Sequence, residues 1–279
     1  MHKNPTRYGM LLLVGIGLAA TPGIAAMPAP RSMTPAQLDE FATHYYLHPR
    51  PELIAAAIEG LDSSRFLEPG VGSPIGPRLN GYFWTFVGFF AEVFAANPDR
   101  VDEWQKLGRK QEWQTRDCLQ AALKYSQPGA LLAVNGPWVL RPGAILSLGN
   151  SWGSADEARW GAFFASGNAA YLRKVVAQLR EIDPRDPTVV SLAPMWSLAR
   201  QAPEHPLVRT TLEAARADAD PHTRALIDDL LTKDVEAIRK QVADLAPSSF
   251  AFDPYPSQKG MRDAGYYGPV SPGQEIHPK

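Results

Sequence analysis

Between Arg159 and Leu179 the chain reads RWGAFFASGNAAYLRKVVAQL, and no other stretch so narrows the folds open to it. Trp160, Phe163 and Phe164 follow helical spacing and stop at Gly167-Asn168. Glycine just past a helix takes the left-handed conformation that ends it at no steric cost, and asparagine caps the next helix well. The following run places Tyr171, Leu172, Val175, Val176 and Leu179 on one stripe, with Arg173, Lys174 and Gln178 opposite. Two helices joined this tightly fold back on each other, so the stretch reads as a helical hairpin. Gly161, Ala162 and Ala165 leave room for a further helix to approach. No nucleophile, acid–base pair or metal-ligand spacing occurs here, so the stretch is a packing unit and Phe164 is expected in the core.

The same grammar recurs. Phe89 to Leu107, FFAEVFAANPDRVDEWQKL, again runs from an aromatic-rich helix through an Asn break into a charged amphipathic helix. Ala215 to Leu231 is a looser third case. Helix starts are marked along the chain. Thr34 with Pro35 and Gln37 makes a capping box, and Pro49 is expected to stop that helix. Pro51, Asn97-Pro98, Ser154 with Glu157, Asp186-Pro187, His205-Pro206 and Asp220-Pro221 mark further starts. The later helices are expected near 169–182, 187–201, 206–218, 221–232 and 234–245. The fold class is therefore all-α, built of stacked antiparallel helical hairpins in an irregular, solenoid-like series. Residues 129–152, rich in Gly, Pro and Asn, break the pattern and read equally as two short strands or as a packed extended linker.

The first 26 residues have the order of a secretory signal: Lys3 and Arg7 without an acid, an apolar core from Met10 to Ala20, then Pro22 and the small residues Ala25 and Ala26. The core is about 11 residues, short of the roughly 20 a membrane span needs. The expected organisation is a signal peptide over 1–26, a helical domain over 27–250 and a Pro/Gly-rich tail over 251–279. Residues 27–128 and 153–250 are candidate halves of the domain, joined by the irregular segment. The formal net charge is −1, and loss of Lys3 and Arg7 takes it to about −3. That balance argues against nucleic acid and against stable membrane association after signal cleavage, since both reward a basic surface. The lone cysteine, Cys118, excludes a disulfide scaffold and falls on a helical apolar position, as a buried thiol does.

Catalytic motifs are absent from the linear sequence. Glu40, His44 and His48 stand at four-residue spacing, which suits a metal. The metalloprotease motif requires Glu directly after the first His, where Tyr45 stands, and His48 abuts the helix-ending Pro49. The expectation is no catalytic residue, no metal and no cofactor, and a fold indifferent to chelators. Ser73 and Ser151 lie in glycine-rich loops without the setting of a phosphate loop or a nucleophile elbow. Asp228, Asp229, Asp234 and Glu236 fall on solvated helix faces. Of the seven tryptophans, Trp84, Trp104, Trp113, Trp160 and Trp196 take helical core positions, whereas Trp138 and Trp152 flank the irregular segment and are the candidate binding surface. The leading expectation is an exported, non-enzymatic binding or scaffold module for a protein or peptide. The alternative is a cell-envelope hydrolase with dispersed catalytic residues.

Overall fold

The computed structural model describes residues 31–64, 67, 81–127, 129–133, 155–183 and 189–245. The expected signal segment, the tail, Ser73, Ser151, Trp138 and Trp152 lie outside them. Every regular element among the described residues is helical. The order is α1 (Pro35–Thr43), α2 (Ile54–Ser63), α3 (Gly81–Ala96), α4 (Val101–Gly108), α5 (Trp113–Tyr125), α6 (Ala130–Ala133), α7 (Ala155–Ser166), α8 (Ala169–Ala177), α9 (Val189–Gln201), α10 (Pro206–Ala217), α11 (Pro221–Thr232) and α12 (Val235–Leu245). The all-α class is as the sequence implies. Of the 129–152 segment, the described residues form a turn at Gly129 and the short helix α6 over Ala130–Ala133 rather than extended chain.

The local start signals act as their chemistry requires. Thr34 accepts from the Gln37 amide and the Gln37 side chain answers to the Thr34 amide, completing a capping box. Asp220 accepts from Thr223 ahead of α11, and Asn168 from Ala170 ahead of α8. Gly167 sits at φ +65°, between α7 and α8. Asn97 behaves differently from expectation: its side chain caps nothing ahead of it and donates instead to the Val93 carbonyl at 2.8 Å, closing the end of α3. Gln178 also departs from the solvated face, donating to Asp156 of α7 at 2.5 Å. The same Asp156 pairs at 2.7 Å with Arg159, whose side chain is buried.

α3 is apolar nearly all round and lies at the centre, packed on α7 and α5. Its contact with α7 is the most extensive between two helices among the described residues, and it is very close. A Cβ built on Gly88 would fall 1.8 Å from the Ala158 carbonyl oxygen, and one on Gly161 would fall 1.7 Å from that of Thr85. The two backbones touch, and only glycine on each side permits it. Around this crossing lies an aromatic layer in which Phe89 meets Phe90, Tyr45 and Phe41 edge-on, while Trp160, Phe163 and Phe164 contact one another from α7. Trp84 and Trp104 are fully buried, Trp160 and Trp196 nearly so, and Trp113 is only half-buried. The sequential pairs α7–α8 and α10–α11 pack as the hairpin grammar suggests, and α12 packs on α9. Tyr171 of α8 donates to Glu92 of α3 at 2.5 Å, tying the hairpin to the central helix. No helix among the described residues is long and apolar enough to cross a membrane.

Candidate functional site

α1 ends earlier than Pro49 would make it. His44 leaves the helix at φ −109° and ψ 11°, and a single 3-10 turn over Tyr45–Leu47 follows. The driving force is aromatic burial. The turn sends Tyr45 into the core against Phe41 and Phe89, and lays Tyr46 against Phe163 of α7. Glu40, His44 and His48 therefore do not share a helix face, and His48 is solvent-exposed.

The second wall comes from the turn between α9 and α10. Pro203 and Pro206 bracket Glu204 and His205. A residue before proline is pushed toward extended backbone, and His205 sits at φ −123° and ψ 99°. Its amide donates to the Gln201 carbonyl at 3.0 Å, which fastens the turn to the end of α9. The ring is wholly buried, packed on Phe163, Phe164, Tyr46 and His44. Its Nδ1 lies 3.1 Å from the Tyr46 hydroxyl. Its Nε2 is buried without a hydrogen-bond partner among the described residues.

One donor atom from each of His44, Glu204 and His205 lies within 4.8 Å of the others. The three are half-buried, exposed and buried respectively. His44 donates its Nδ1–H to the Glu40 carbonyl at 3.3 Å, with the Glu40 carboxylate equally close. Asp39 lies within electrostatic reach of Arg200, Glu204, Glu40 and His44; burial raises its carboxyl above the usual range and Arg200 opposes the rise. This is a polar cluster set at the edge of an aromatic layer, where low polarity strengthens each interaction. It contains one of the three residues that linear spacing singled out. Glu204 and His205 carry no local signal beyond their two prolines.

Burial pushes His205 down to about 4, with His44 acting in the same direction and Glu204 against it. The unfolded chain takes up this proton near pH 6.5, the folded chain only near pH 4. The resulting stability is complete above about pH 6.5 and is lost as pH falls toward about 4. Urea unfolding with a chelator present should show a loss of about 2 kcal/mol between about pH 7 and about pH 5. His205→Gln should flatten that dependence. A His205→Gln profile as steep as the wild type would contradict the assignment.

No family model, curated protein or solved structure matches the chain. The functional reading rests on the chemistry of the residues themselves.

Proposed function

We propose that the protein is an exported, non-enzymatic helical module that binds a protein or peptide at the surface where the Tyr45–Leu47 turn meets the α9–α10 turn. One observation carries the reading. Among the described residues three large apolar side chains stay exposed: Leu47, Leu123 and Leu207. Leu47 adjoins Tyr46 and Leu207 lies two residues from His205, so two of the three stand close in the chain to the partners of the Tyr46–His205 hydrogen bond. Exposed apolar side chains beside a few converging polar groups combine contact area with orientation, as recognition surfaces do. Export is supported by the order of charge, apolar core and small residues over 1–26.

A photo-crosslinking residue at Leu47 or Leu207 in producing cells should give one discrete adduct with an extracytoplasmic protein, and the same probe at Leu123 should not. Equal adducts from all three positions, or none from Leu47 and Leu207, would overturn the surface. N-terminal sequencing of the exported protein should find a start just after Ala25 or Ala26; a chain retaining Met1 would sink the export reading.

The second reading, a cell-envelope hydrolase, is favoured by the convergence of His44, Glu204 and His205, since an imidazole beside a carboxylate suits general-base chemistry. It requires release of soluble fragments from envelope material by the wild type and not by His44→Ala.

A further inference from the structure

We propose that His44, Glu204 and His205 form a binding site for a divalent transition-metal ion of the zinc type. The donor set is two imidazoles and one carboxylate, which suits zinc and its neighbours rather than calcium or magnesium. The proposal departs from the sequence expectation of no metal, because the fold supplies two ligands that linear spacing could not pair with His44.

The arrangement beyond the ligands matches what a metal site needs. A ligating histidine generally gives its other ring N–H to a carbonyl, carboxylate or similar acceptor, which fixes the tautomer and aims the ring. Both rings here are held at Nδ1. The partner of His44 is a carbonyl oxygen, which only accepts, so Nδ1 carries the hydrogen and the neutral ring keeps its lone pair on Nε2. With Nδ1–H given to the Tyr46 hydroxyl, His205 keeps its lone pair on the buried Nε2 that has no partner among the described residues. A buried polar atom left without a partner is costly, and a cation held at Nε2 would remove that cost.

The distances are compatible with capture. Tetrahedral ligands at about 2.1 Å from zinc lie about 3.4 Å apart. The donor atoms stand within 4.8 Å of one another, so closure takes roughly 1 Å of movement on that geometry. Glu204 is the exposed member of the three. Three protein ligands would leave one of four coordination positions for water or a ligand group. Glu40 beside His44 adds negative charge near the ion. Metal binding here does not depend on the partner-docking surface, and either can fail without the other.

The test is titration of the chelator-treated full chain with zinc against a chromophoric competitor, repeated with cobalt(II) for its visible absorption. One equivalent should bind with a micromolar Kd or tighter. His44→Ala and Glu204→Gln, neither of them a core position, should each weaken binding at least tenfold and abolish the cobalt spectrum. Tyr46→Phe should weaken it about tenfold, the lower end of what loss of a ring-orienting partner costs. His48→Ala should leave it unchanged, and circular dichroism should report the same helix content for every variant. Substoichiometric binding, binding that survives His44→Ala, or an equal loss in His48→Ala would overturn the site.

Discussion

Gly161→Ala should lower folding stability by more than about 3 kcal/mol, the upper end of ordinary overpacking costs, and Gly88→Ala should act similarly. Elsewhere in a helix the same change gains up to about 1 kcal/mol, because alanine is the better helix former. Here the sign reverses, since the new methyl meets backbone. On Gly161 it would lie 1.7 Å from the Thr85 oxygen and 2.8 Å from the Phe89 nitrogen; on Gly88, 1.8 Å from the Ala158 oxygen. Backbone within a helix cannot swing aside as a side chain can. α3 and α7 would have to separate, opening the aromatic layer along their length. Gly108→Ala is the control, because its methyl would meet only the flexible tip of Leu119, at 2.3 Å. That variant should stay within about 1 kcal/mol of the wild type. Urea unfolding of the three variants measures the contrast, and a Gly161→Ala protein as stable as the wild type would refute the crossing.

Phe164→Ala should cost about 3–5 kcal/mol, the usual range for truncating a buried phenylalanine. Phe164 packs on Trp160, Phe163 and His205, so its loss leaves a void bordered by three rings that cannot collapse together. The loss should appear in a single cooperative transition, because nearly all buried apolar residues of the described elements form one continuous cluster. Arg173→Ala, on the exposed face of α8, should change stability by no more than about 0.5 kcal/mol. Wild-type stability for Phe164→Ala would mean that Phe164 faces outward and that the hairpin between Arg159 and Leu179 does not pack as described.

What the sequence made legible was local. Thr34, Asn168 and Asp220 cap helices through their nearest neighbours, and a proline in the first turn of α1, α10 and α11 marks each start. The stripe from Tyr171 to Leu179 is buried along its length because periodicity of 3.6 is a property of the segment itself. The candidate site was not legible for the same reason. Its decisive hydrogen bond joins Tyr46 to His205 across 159 residues, and no spacing rule reaches that far. Glu40, His44 and His48 looked like a ligand set on the assumption of a continuous helix to Pro49. The burial of Tyr45 ended that helix first. Even Gly161, recognised as a point of close approach, gave no hint that it would meet the backbone of Thr85 and Phe89 in α3.

The α3–α7 crossing also sets an order of events for the nascent chain. α3 ends at Ala96 and α7 begins at Ala155, so this backbone-to-backbone contact closes a long loop. Closing it has an entropic cost before any return, and folding of this kind is slower than that of bundles built from neighbouring helices. Until α7 has been synthesised, α3 has α5 and the rings of Phe41 and Tyr45 to pack on, but the side that receives Gly161 stays uncovered. The first half of the chain therefore leaves one apolar side of α3 open to water for as long as it takes the remaining residues up to Gly161 to be added.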